Sequence, residues 1–157
     1  MPHIHDKIDF TVEVFIVYKD KVLLRKHDKY KIWLSVGGHI ELDEDPNQAA
    51  IREVKEEVGL NVKIADSRIF KSDTGKYKEL VSPRFLSRHY INDNHEHITM
   101  VYFATSDTDE IKSSDDEKSE ESKWFTAEEL NDKNYGLKEN VLFYAKKALE
   151  ELAIKYE

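Results

Sequence analysis

Twenty-three residues, Gly38 to Leu60, constrain the chain more than any other stretch; they read GHIELDEDPNQAAIREVKEEVGL. Asp45 stands where a helix wants its N-cap, with Pro46 at the first helical position and Gln48 at the third, a capping-box arrangement. Gly59 supplies the stop. The spacing therefore predicts a helix over 46–58. On a wheel at ~100° per residue, Ala50, Ile51, Val54 and Val58 share one arc of roughly 100°, suited to packing on a sheet. Glu53, Glu56 and Glu57 fall in a separate arc, with Arg52 at its flank.

Three carboxylates at i, i+3 and i+4 converge on one patch. Like charges at that spacing destabilise an isolated helix by a few tenths of a kcal/mol, and Arg52 alone cannot neutralise all three. A generic acidic helix face is a solvated surface. Held together, however, such an oxygen-only set is what Mg²⁺ or Mn²⁺ requires, and the ion removes the repulsion.

The spacing is not generic. Gly38, five residues, Glu44, seven residues, then Arg52-Glu53-Val54-Lys55-Glu56-Glu57-Val58-Gly59-Leu60 resembles the Nudix box at all nine of its defined positions. The resemblance implies an α+β fold, the Nudix αβα sandwich built on a mixed β-sheet. It implies a loop–helix–loop that binds a divalent metal, Mg²⁺ or Mn²⁺, and places a diphosphate for attack by water. Carried onto this chain, the expected metal ligands are Glu53, Glu56 and Glu57, with a backbone carbonyl of Gly37 or Gly38. Arg52 resembles the family arginine that orients a catalytic glutamate, and Glu44 belongs to the same polar network. Glu53 is the first choice for the general base. Related enzymes use glutamates outside the box, for which Glu96, Glu120 and Glu121 are available here.

The rest of the chain reads as one domain over 1–157. Phe10 to Tyr18, Val22 to Leu24 and Ile32 to Val36 are apolar, β-branched or aromatic runs, the last halted by Gly37-Gly38. Further strand candidates are Val62–Ile64, Arg84–Ile91 and His97–Thr105. The almost wholly polar segment 106–123 reads as an exposed loop. Thr126 to Leu130 looks like a capped helical turn, and 137–154 carries Val141, Leu142, Ala145, Ala148, Leu149 and Leu152 at helical spacing.

Phosphate contacts need cations, and Arg25, Lys26, Arg84 or Arg88 are on hand. His95 and His97 share one face of a strand with Glu96 opposite; His97 is a candidate for the substrate pocket, alongside a hydrogen-bonded structural role. Phe10 or Phe15 is a candidate for base stacking, with core packing as the alternative. Within the family, ADP-ribose pyrophosphatases tend to carry a proline about fifteen residues past the box, where this chain has Gly75. Diadenosine polyphosphate hydrolases tend to carry a tyrosine slightly further on, which Tyr77 matches.

Composition narrows the class. A net charge of −8 argues against a basic nucleic-acid face, and leaves a small nucleotide-like diphosphate, bridged by metal, as the partner. The absence of cysteine excludes disulfides and thiolate metal sites, and argues against the isoprenoid diphosphate isomerases that carry the same box. No apolar run is long enough for a membrane span and the N-terminus lacks a signal-peptide core, so a cytoplasmic monomer or homodimer is expected. The competing class is a non-catalytic nucleotide sensor on the same fold, which is expected to lose box acids; all are retained here.

Overall fold

A computed structural model describes residues 4–112 and 121–154. Along the chain run β1 (Ile8–Tyr18), β2 (Lys21–Lys26), β3 (Trp33–Leu34), β4 (Val36–His39), α1 (Pro46–Val58), β5 (Val62–Ile64), β6 (Phe85–Asn92) and β7 (His95–Ser106). After them come β8 (Glu121–Phe125), α2 (Ala127–Leu130), a 3₁₀ turn at Lys133–Tyr135 and α3 (Glu139–Leu152).

The strands join in one mixed sheet centred on β1. On one edge β1 runs parallel to β7, from Ile8 opposite Glu96 to Val17 opposite Thr105. On the other edge it pairs antiparallel with β4 along its first half and with β2 at its end. Lys19 takes a left-handed backbone conformation (φ 54°) in the tight turn between β1 and β2. Strands β5 and β6 pair antiparallel with β7, while β3 and β8 pair with β2.

Alternation along β1 feeds two cores. Val12, Val14 and Ile16 face α1, where they meet Ala49, Ala50, Val54, Val58 and Tyr102. Phe15 and Val17 face the other way, onto Phe103, Phe125, Val141, Ala145 and Leu149, the side that α3 covers. A sheet with both faces apolar must be covered twice, which gives the αβα sandwich expected from the sequence.

Helix α1 begins and ends where the cap signals place it. Asp45 accepts from the Gln48 backbone N–H, the Gln48 side chain accepts from Asp45 N–H, and Gly59 closes the helix with φ 71°. Its orientation differs from the wheel. Ile51 is 40% exposed, whereas Ala49 and Glu53 are buried. The buried arc is therefore turned toward the carboxylate side by about half a residue step. The cause lies in β4, whose Gly37-Gly38 does not halt the strand but forms its middle. A Cβ on Gly38 would stand 2.7 Å from Glu53 Oε2, and one on Gly37 would run into the Val12 carbonyl. The bare backbone of Gly38 lets Glu53 lie against the strand.

The polar segment 106–123 is shorter as a loop than expected. Strand β7 extends through Ser106 and β8 starts at Glu121. Lys112 N–H donates to the Val58 carbonyl at 2.8 Å, Trp124 Nε1 donates to Asp109 O at 3.0 Å, and Ile111 packs against the α1-side core. Residues 107–112 are thus tied to the sandwich. Glu120 lies outside the described residues.

Candidate active site

Strand β4, the end of β2 and the exposed flank of α1 enclose a cleft of about 490 Å³. It is lined by Arg25, His27, Leu34, Ser35, Gly37, Gly38, His39, Glu41, Arg52, Glu53, Glu56 and Glu57. The capped helix projects the last four of these from one side, and the glycine strand forms the facing wall.

Arg52 organises the acids. Its Nε donates to Glu44 Oε2 at 2.9 Å and its Nη2 to Glu44 Oε1 at 2.6 Å. Nη1 donates to Glu53 Oε1 at 3.0 Å and to Glu56 Oε2 at 3.1 Å, and Nη2 also reaches the His39 carbonyl at 3.0 Å. Glu57 has its own cation, Arg25, whose Nη1 stands 2.7 Å from Oε2. Arg25 comes from the apolar strand β2 and is itself buried, so the pair forms the floor of the cleft.

The acids differ in electrostatic setting. Hydrogen bonding to Arg52 holds Glu44 below its ordinary carboxylate value. Glu53 is 2% exposed, and burial raises its pKa, opposed by the Arg52 charge and hydrogen bond. Glu57 lies within hydrogen-bonding reach of Glu53. Two carboxyl groups this close in a cleft need a proton or a cation between them. The residues present therefore fit a hard divalent ion.

Arg25, Gly37, Gly38, Arg52, Glu53, Glu56 and Glu57 are thus brought together, with Glu44 joined through Arg52. Other sequence candidates lie elsewhere. Lys26 stacks over Trp33 at 5.9 Å from the ring centre. Arg84 forms a fork with Glu151 and a hydrogen bond to Ser67 on the α3 side. Tyr77 is exposed and hydrogen-bonded to Glu79. Arg88 pairs with Glu96 at 3.6 Å, Glu121 is an exposed residue of β8, and Phe15 is core. His97 packs edge-on to His39 at 5.0 Å between ring centres, and to His89 and His95 as well.

Three residues escaped the sequence reading: Asp9, Glu13 and His39. Asp9 and Glu13 sit with Thr11 at every second position of an otherwise apolar strand, a period-two signal that was present in the sequence. Burial pushes Glu13 up to about 7.

The fold and the cleft define a class, an αβα sandwich with an arginine-organised carboxylate site. Comparison with known proteins names it. The NUDIX domain model matches residues 9–146, so the chain belongs to the NUDIX family and is a Nudix pyrophosphohydrolase, acting on nucleoside diphosphate derivatives. It is similar to a NUDIX-family hydrolase from Clostridium perfringens, 42% identical over 91% of this chain and 97% of that one, with a TM-score of 0.82. The fold is shared with a MutT NUDIX hydrolase from Burkholderia pseudomallei (20% identity, 94% and 100% covered, TM-score 0.61). It is also shared with a bifunctional NMN adenylyltransferase/ADP ribose pyrophosphatase from Francisella tularensis complexed with AMP and a manganese ion (21% identity, 94% and 43% covered, TM-score 0.61). A comparison with curated proteins finds no match.

Proposed function

We propose that the cleft hydrolyses the diphosphate linkage of a nucleotide-like substrate by water attack at phosphorus, with Mg²⁺ or Mn²⁺ as cofactor. The observation that carries this reading is the Arg52 hub, which holds Glu44, Glu53 and Glu56 around one pocket while Arg25 holds Glu57. Glu53, Glu56 and Glu57, with a carbonyl of Gly37 or Gly38, are the residues that would hold the metal. When bound, the ion supplies charge neutralisation at the phosphate oxygens and makes the attacking water more acidic.

The protein's own groups do the remainder. Glu53 accepts the water proton, a role suited to a carboxyl whose pKa burial has raised. Arg52 positions Glu53 through the 3.0 Å bond and through Glu44, which it keeps ionised. Arg25 holds Glu57 turned into the cleft through the 2.7 Å bond. The family sets the substrate class at nucleoside diphosphate derivatives.

The test is a panel of canonical and oxidised nucleoside triphosphates, ADP-ribose, nucleotide sugars and diadenosine polyphosphates, incubated with Mg²⁺ or Mn²⁺ and followed by product chromatography. Turnover that disappears in EDTA and falls at least ~10²-fold in Glu57→Gln is the expected result. Binding of a panel member without cleavage would instead make the chain a nucleotide sensor.

A further inference from the structure

On the sheet face opposite α1, beyond the stretch that α3 covers, a second cluster of ligand-type side chains is buried. Asp9 on β1 lies opposite His97 on the parallel strand β7, and Thr11 lies opposite His39 across the other edge of β1. His95, two residues before His97, shares its face. The ligand atoms of Asp9, His95 and His97 all lie within 4.8 Å of one another. Asp9 Oδ2 is 3.1 Å from His95 Nε2 and 3.3 Å from His39 Nε2.

The outer contacts fix which atoms face inward. Asp9 Oδ1 accepts the backbone N–H groups of Ile4 at 3.2 Å and His5 at 2.7 Å, leaving Oδ2 turned to the histidines. His95 Nδ1 is 3.1 Å from the Asp6 carbonyl. A carbonyl only accepts, so Nδ1 carries a proton and Nε2 is the ring nitrogen turned to Asp9 Oδ2. A histidine that donates its far ring N–H to a carbonyl is also how proteins orient a metal ligand. The His97 ring packs edge-on to His39, His89 and His95, at 5.0, 5.5 and 5.2 Å between ring centres.

We propose that Asp9, His95 and His97 form a second metal site, selective for a borderline transition-metal ion of the Zn²⁺ type. A tetrahedral ion with bonds of 2.0–2.1 Å sets its ligand atoms about 3.3 Å apart, close to the 3.1 Å between Asp9 Oδ2 and His95 Nε2. Imidazole nitrogens suit Zn²⁺ and disfavour Mg²⁺, so this site and the carboxylates of the cleft sort two kinds of ion. Asp9 and His95 are buried on the sheet face opposite α1, so the site is structural. It clips the segment 4–9 to β7. It does not depend on the hydrolytic reading of the cleft.

The experiment uses the full chain, stripped with a chelator and held in excess Mg²⁺ to saturate the box. Co²⁺ is titrated in and its visible ligand-field bands are followed, then Zn²⁺ is added as competitor. The expected result is one equivalent of Co²⁺ with the strong bands of a four-coordinate site, displaced by Zn²⁺. Affinity should weaken at least ~10-fold in His97→Asn and stay unchanged in Glu57→Gln. No saturable band in the wild type overturns the proposal, as do bands that persist in His97→Asn but vanish in Glu57→Gln. Should His97→Asn fail to fold by circular dichroism, ring ¹⁵N spectra of the wild type decide. Zn²⁺ must shift the His95 and His97 nitrogens at one equivalent, and a His95 ring that stays doubly protonated identifies an imidazolium–carboxylate pair instead.

Discussion

Arg52 commits every guanidinium nitrogen to the site: Nε to Glu44, Nη1 to Glu53 and Glu56, Nη2 to Glu44 and the His39 carbonyl. A lysine keeps the charge but not the planar fork that serves these acceptors at once. Arg52→Lys is therefore expected to lower kcat/KM by at least ~10²-fold with an unchanged far-UV spectrum. Gly38 acts by what it lacks. Its added Cβ would sit 2.5 Å from Glu53 Cδ, and Arg52 leaves that carboxyl little freedom to move aside. Gly38→Ala should cut kcat at least ~10-fold, and steady-state kinetics beside a thermal melt would separate this from unfolding.

At the scale of elements, α1 is a helix with a hard start. Asp45 satisfies the Gln48 N–H and Gln48 answers with its side chain, while Pro46 has no N–H to satisfy. Removing the cap acceptor in Asp45→Ala should cost ~1 kcal/mol, seen as a Tm lower by ~2–4 °C in a chain of this size. Asp45→Asn should recover most of the loss. Because the first turn also carries Asn47, whose side chain bonds the Val81 carbonyl and backbone N–H, fraying there loosens the segment before β6 as well.

For the molecule as a whole, the sandwich divides its apolar mass between two cores, and Glu13 is the charged residue that β1 carries between Val12 and Val14. Its folded pKa of about 7 lies above the ordinary carboxylate value of 4.5, so the folded state binds this proton more tightly than the unfolded chain. That contribution is complete below 4.5 and is lost as pH rises through 7. Glu13→Gln mimics the protonated form. In EDTA, its stabilising effect in urea unfolding should be on the order of 1–3 kcal/mol larger near pH 8 than near pH 5. An equal effect at both values would show that Glu13 keeps an ordinary pKa.

Read from the chain alone, helix α1 is placed to the residue and most strands are located. Caps, periodicity and side-chain type act within a few residues of chain, so they are readable without partners. The box also predicted which glutamates and which arginine converge. Non-local packing set the rest. It placed Gly37-Gly38 inside a strand, turned α1 so that Glu53 went in and Ile51 came out, and put Arg25 under Glu57. It sent Arg84 to Glu151 rather than to the cleft, and brought Asp9 to histidines 86 and 88 residues away in sequence. These outcomes depend on which strands pair and in what register, a choice made by non-local packing that no window of sequence contains.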